Sequence, residues 1–312
     1  MANILAYGQA LQQGLDKQVT QELLTGWMDS NAKQIKYTGG KEVKIGKLST
    51  DGLGDYARGS SDAYVNGDVK FEYETKVMTQ DRGRKFTLDS MDVDETNFLV
   101  TATNIMGEFQ RLKVIPEIDA YRLSKLATTA MNVAGDTNVE YGYTVNSSTI
   151  INKIKAGIKV IRENGYNGPL VCHLNYDSMF AVEEKVLEKL SSVTFIQGGI
   201  ETQVPSIDGC PLIKTPQNRM YSSIILNDGT SSNQTEGGYS KGTKAIDANF
   251  IIAPIDVPIA VTKQDKMRIF DPDTNQTADG WSMDYRRYHE LWVLDNKVNS
   301  VYANFKDAKP TA

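Results

Sequence analysis

The stretch from Met91 to Asn132 constrains this chain more than any other. Apolar residues fall at Phe98, Leu99, Ala102, Ile105, Met106, Phe109, Leu112 and Val114, mostly in steps of three and four. That is the period of one face of an α-helix. Asp92, Asp94 and Glu95 put negative charge on the first turn, where the helix dipole favours it. Pro116 removes a backbone donor and is expected to break or bend the run. A second helical pattern follows at Ile118, Tyr121, Leu123, Leu126 and Ala127. The plain reading is a core helix pair, and any functional reading has to come from the segments around it.

Upstream, residues 1–35 carry one weak apolar stripe at Leu11, Leu15, Val19, Leu23 and Leu24. Gly8, Gly14 and Gly26 interrupt it, each costing a helix about 1 kcal/mol relative to Ala. Trp27 sits in a polar context and is a candidate contact, either with its own domain or with a neighbouring subunit. Residues 36–90 then turn rich in Gly, Asp, Ser, Lys and Thr. Val69, Phe71, Tyr73, Thr75 and Val77 alternate with charged residues, which reads as a strand over Val69–Met78. The QDRG at 80–83 reads as a turn, with Arg84–Leu88 returning as the partner strand. A long hairpin with few large apolar residues at its tip cannot offset its ordering entropy alone. Either the parent domain or another subunit must stabilise it. Arg82, Arg84 and Lys85 form a small basic tip, expected to be a solvated turn or an inter-subunit ion-pair site.

Downstream, a polar link over Gly135–Ser148 leads to a helix that buries Ile150, Ile151, Ile154, Ile158 and Ile161 and ends at Asn164-Gly165. Pro169–Leu174 reads as a buried strand, and Tyr176–Leu190 as a helix. Strand-like pieces follow at Val193–Gln197, Gln203–Val204 and Leu212–Thr215. This order suggests an α+β or mixed subdomain over 136–245. Asn233–Gly242 is a flexible loop by composition. Sheet returns at Asn249–Pro254, Ile259–Lys263, Lys266–Asp271, Tyr288–Asp295 and Val301–Phe305.

Chemistry has little to build on. His173 lies in an apolar strand and reads as a satisfied core histidine; His289, in YRRYHELW, reads as a strand residue near a surface. No nucleophile-elbow pattern, phosphate loop or dinucleotide fingerprint is present. LSTDGLGD at 48–55 lacks calcium-loop spacing, and Asp89, Asp92, Asp94 and Glu95 read as helix-start charges rather than a metal site. No catalytic, cofactor or metal residue is therefore assigned. Cys172 and Cys210, the only cysteines, are embedded in apolar strands and are expected to be free buried thiols. The net charge of −5 with no basic run argues against tight sequence-specific nucleic-acid binding. No secretory signal pattern opens the chain, and no run of about 18 apolar residues could span a membrane.

The order of elements is polar arm, long β excursion, long helix, compact α/β region, returning sheet. With the stretches 83–96, 107–127, 207–220 and 250–297, it resembles the major capsid proteins of tailed bacteriophages with the HK97-type fold. The likeness covers nearly the whole chain and is closest to those of phages and prophages of Gram-positive bacteria. The resemblance implies an α+β HK97-like capsid fold: an N-terminal arm over 1–35, an extended β loop over 36–88, a peripheral domain over 89–135 with a spine helix within 92–115, an axial domain over 136–245, and a peripheral returning sheet over 246–312. It implies a structural, non-enzymatic protein that self-assembles into pentamers and hexamers of an icosahedral shell enclosing phage DNA. The expected partners are other copies of itself, a separate scaffolding protein, a portal protein at one vertex and weak non-specific contact with packaged DNA, with no membrane and no cofactor. Trp27, Arg82, Arg84 and Lys85 are then candidates for inter-subunit contact. The expected location is the virion capsid, after synthesis in the host bacterial cytoplasm. About 35 residues precede the loop, so scaffolding by a separate protein is expected; Lys41, Lys44, Lys47 and Lys70 lie in the loop without a motif that licenses Lys–Asn crosslinking. Two rivals stand: an encapsulin-like nanocompartment shell on the same fold, and a hydrolase built on 136–245 around His173.

Overall fold

The computed structural model describes residues 22–34, 36–37, 41–58, 63–89, 105–185, 191–197, 200–276 and 279–310. Its centre is a seven-stranded sheet in the order β5 (Val139–Glu140), β15 (Tyr302–Phe305), β12 (Ala248–Pro254), β6 (Leu170–Asn175), β9 (Cys210–Thr215), β8 (Ile200–Ile207) and β7 (Ser191–Gln197). β12 pairs antiparallel with both β15 and β6, while β6 pairs parallel with β9. Every residue of β6 and β12 is buried, because both faces of the sheet are covered. Alternation sorts the faces. Leu170, Cys172, Leu174, Phe250 and Ile252 pack beneath α2 (Ile150–Glu163) and α3 (Tyr176–Lys185). Val171, Ile251, Ala253, Ala303 and Phe305 pack on the other side, against Leu123, Leu126, Ala127 and Ala130 of α1 (Ile115–Met131). Two strands expected in the returning peripheral sheet, β12 and β15, thus share one sheet with strands expected in the axial region.

The long helix differs from expectation at Pro116. Helix runs without a break from 105 through a π turn at Gln110–Val114 into α1. In the π turn the Ile115 N–H donates to the Gln110 carbonyl, five residues back. The widened turn opens the backbone where the proline ring would otherwise meet the carbonyl of Leu112. Pro116 is therefore accommodated, and the helix continues to Met131, well past the expected spine limit at 115. Residues 92–104, which hold most of the expected acidic cluster, lie outside the described residues.

The β excursion is also paired differently. β3 (Val69–Val77) pairs antiparallel with β2 (Glu42–Thr50), and β2 with the short β1 (Lys36–Tyr37). β4 (Gln80–Asp89) does not return on β3. It is an edge strand of a second sheet, in the order β13 (Ile259–Phe270), β14 (Gly280–Trp292), β4. The QDRG at 80–83 is strand, not turn. Gly83 is needed because a methyl there would stand 2.7 Å from the Tyr285 carbonyl of β14. The two segments expected at 259–263 and 266–271 are one strand, with a register shift between Thr262 and Gln264. The base of the β2–β3 arm is anchored where Val43, Ile45 and Met78 pack on Ile259, Val261, Tyr288 and Trp292. β10 (Ile224–Leu226) and β11 (Tyr239–Lys241) form a separate hairpin. Among the described residues, no helix is long and apolar enough to cross a membrane.

Candidate functional site

The arm's own register makes it two-faced. Leu48 lies opposite Phe71, Gly46 opposite Tyr73 and Thr50 opposite Val69, so Leu48, Val69, Phe71 and Tyr73 share one face. Phe71 and Tyr73 meet edge to face at 5.0 Å. Gly46 leaves space for the Phe71 ring, since a methyl there would stand 3.1 Å from its Cζ. All four apolar side chains are more than half exposed, from 53% at Tyr73 to 71% at Val69. The other face carries Lys47, Ser49, Lys70 and Glu72 beyond the buried Val43 and Ile45. Beyond the paired strands, residues 51–58 and 63–68 add exposed Leu53, Tyr56, Tyr64 and Val65, with Tyr56 and Tyr64 edge to face at 4.9 Å. The expectation of few large apolar residues at the tip is corrected here. Burying one such side chain is worth about 1.5–3 kcal/mol, and a contiguous exposed stripe of this kind marks an interaction surface. The alternation at 69–77 was the sequence signal for it.

The candidate contact residues fall in three places. Arg82, Arg84 and Lys85 are not at a tip but in the middle of β4. Arg82 and Arg84 lie on one face. Arg82 Nε donates to Glu117 Oε1 at 2.5 Å and its Nη2 to the Gly238 carbonyl at 3.1 Å. Arg84 donates through both terminal nitrogens to the Thr235 carbonyl, at 3.3 and 3.2 Å. Lys85 points from the opposite face, exposed, across from Asp284. Trp27 is 5% exposed inside its own chain's core, with Met28 fully buried beside it. Its indole N–H donates to Nε2 of His173 at 3.2 Å, and the two rings stack.

His173 is thus a satisfied core histidine, its Nδ1 within 3.2 Å of the Thr215 hydroxyl. Burial pushes its pKa down to about 3, leaving a neutral ring with no exposed surface. His289 is buried rather than near a surface. Burial, with Arg287, Arg122 and Arg82 nearby, holds its pKa well below the usual range. Cys172 and Cys210 are buried free thiols; desolvation raises the first well above its ordinary value and the second to about 12. Among the described residues no group of three or more His, Cys, Asp or Glu side chains is placed to hold a metal.

Sequence reasoning missed an ionic cluster under the long helix. Asp119 and Arg122 are both fully buried. Asp119 accepts from the Leu24 N–H at 3.2 Å, the Thr25 N–H at 3.0 Å, the Thr25 hydroxyl at 2.6 Å and Arg219 Nη1 at 2.8 Å. Arg122 donates to both carboxylate oxygens of Asp29 and to the Thr25 carbonyl. On the same helix, Tyr121 donates to Glu290, which also accepts from Thr79. A single turn of α1, Asp119–Arg122, thereby grips residues 24–29 and the junction of β3 with β4.

No protein-family model and no curated protein sequence matches this chain. Solved structures do. One titled "Asymmetric unit of bacteriophage PhiM1 mature capsid" is 12% identical with a TM-score of 0.56, over 86% of this chain and 82% of that one. The "Capsid structure of the Cyanophage P-SCSP1u" is 11% identical with a TM-score of 0.55, over 86% and 84%. The virus-like particle from Pyrococcus furiosus is 10% identical with a TM-score of 0.50, over 96% and 99%. The chain has the HK97-like α+β fold.

Proposed function

We propose that this chain is a structural, non-enzymatic shell subunit, the major capsid protein of a tailed bacteriophage, which self-assembles into pentamers and hexamers of an icosahedral shell around packaged DNA. The observation that carries this reading is the β2–β3 arm. Its aromatic face stands in solvent on a fold that solved capsids share. A second copy of the chain would supply the cover that the arm's own chain does not. The net charge of −5 suits a wall that contains DNA with little affinity for it. In this reading residues 1–35 are an N-arm and 36–88 an extended loop whose last strand, β4, is seated in the second sheet; 136–245 with β12 and β15 form the axial region, and the long helix with the rest of 246–312 the periphery. Of the three basic candidates on β4, Lys85, exposed on the face away from Arg82 and Arg84, is the one proposed to meet a neighbour. The remaining partners are a separate scaffolding protein, a portal protein at one vertex and the DNA in weak contact. The virion of a phage of a Gram-positive host is the proposed location, after synthesis in the bacterial cytoplasm.

A nanocompartment shell is the second reading, favoured by the full-length match to the Pyrococcus furiosus particle. Negative-stain electron microscopy of the protein, expressed alone and with its neighbouring genes, tests both. Closed shells, tubes or rings of five and six are expected. A monomer in both preparations overturns the shell reading, and shells that fill with a co-expressed enzyme instead of DNA favour the second.

A further inference from the structure

The loop joining β10 to β11, residues 227–238, reads NDGTSSNQTEGG and contains no apolar side chain larger than a methyl group. Burial therefore cannot hold it in place. Its shape is fixed from within. The Asn227 N–H donates to the Gly238 carbonyl at 2.9 Å and Asn227 Nδ2 to the Gly237 carbonyl at 3.1 Å. Asp228 accepts from the N–H groups of Thr230 and Ser231 at 2.8 Å each, and its own N–H donates to Gln234 Oε1 at 3.1 Å. Gly229, Gly237 and Gly238 take left-handed backbone at φ of 76°, 69° and 74°. Among the described residues, the outside side chains that hydrogen-bond into this loop are Arg82 and Arg84. The fit around Arg84 is close: a methyl on Gly229 would stand 3.0 Å from its Nη1, and one on Gly237 at 3.5 Å. Beneath lies a cleft of about 390 Å3 between β4 and the long helix, lined by Phe86, Phe109, Val114, Ile118 and Tyr285 among others.

We propose that 227–238 is a preformed lid, latched by Arg82 and Arg84, that closes this cleft and swings as one piece when the latch lets go. The internal hydrogen bonds make no use of the two arginines, so release leaves the lid's shape intact. The latch is a guanidinium fork on backbone carbonyls, and a lysine in its place offers a single flexible ammonium and no fork. Arg84 is the clean handle, because Arg82 also pairs with Glu117. The inference does not depend on what the chain assembles into.

The test places a thiol on the cleft wall with Ile118→Cys, and with Val114→Cys as a second probe should the first misfold. Maleimide labelling of the unassembled full-length chain is then timed, the native thiols being buried. Adding Arg84→Ala is expected to speed labelling about tenfold, as the loss of two long charge-assisted hydrogen bonds to a single carbonyl implies, and Arg84→Lys is expected not to restore the parent rate. The control, Arg111→Ala, breaks a surface pair elsewhere and is expected to leave the rate unchanged. A rate within twofold of the parent in Arg84→Ala, or a parent-like rate in Arg84→Lys, overturns the latch.

Discussion

The indole of Trp27 and the imidazole of His173 are stacked and joined by one hydrogen bond of 3.2 Å, 146 residues apart in the chain. This pair ties the segment before the arm to the central strand of the sheet. His173→Ala removes both the acceptor and the packing, and is expected to cost about 3 kcal/mol, read as a fall in urea midpoint. His173→Gln keeps an acceptor and should cost less.

The same histidine sets a pH dependence. Its folded pKa of about 3 lies below the unfolded value near 6.5, so the unfolded chain binds more protons throughout that window. Its contribution is complete above pH 6.5 and is lost as pH falls toward 3, with a slope of up to about 1.4 kcal/mol per pH unit. Wild type is expected to lose stability between pH 6.5 and 4 more steeply than His173→Gln. Parallel curves would show that other groups carry the acid sensitivity.

Asp119 anchors the cluster beneath the helix. With four donors aimed at it, Asp119→Ala leaves Arg219 and two backbone N–H groups without their acceptor. A loss of about 3–5 kcal/mol is expected by chemical denaturation. Thr25 and its neighbours should become the first site of limited proteolysis.

Phe71→Ser together with Tyr73→Ser tests the arm. Both side chains are exposed in the free chain, so the monomer's melting curve should move by no more than about 0.5 kcal/mol. Shell yield by electron microscopy is expected to collapse. Normal shells from the double variant would show that the aromatic face is not an assembly surface.

Gly157→Ala sets two effects against each other. Inside α2 the change gains about 1 kcal/mol of helix propensity. The new methyl would stand 2.7 Å from Tyr302 Cδ1 and 3.0 Å from Ile252 Cδ1, in a core where overpacking costs about 1–3 kcal/mol. A net loss of about 1 kcal/mol is expected.

Elements that bury one clear face were legible. The isoleucine stripe of α2 and the apolar runs of β6 and β12 fall within one residue of their expected limits. Three features were not. Pro116 is a helix breaker only when the preceding turn stays α, and a π turn removes that condition. Gly83 reads as a turn residue from composition, yet its purpose is to admit a neighbouring carbonyl, which depends on a strand more than 200 residues away. Asp119 and Arg122 look like the solvent face of a helix, and only tertiary partners at residues 24–29 and 219 turn them into buried ions. The arm's stripe was visible as alternation, but which strand it faced was not. Arg82, Arg84 and Lys85 were legible as a basic group, but the partners of the two arginines, Glu117 and backbone carbonyls of 227–238, are brought there only by the tertiary fold.

The central sheet holds β15 between β5 and β12, so it cannot close until Tyr302–Phe305 has been made. The arm is complete at Val77. At ~5–20 residues per second, the roughly 230 residues between them take about 10–45 s to synthesise. Through that interval each nascent chain displays its aromatic stripe with no finished body behind it. The stripe's chemistry must then satisfy two clocks, sticky enough for a finished neighbour and tolerable on the ribosome, and the lysines and glutamates between its apolar residues keep the second.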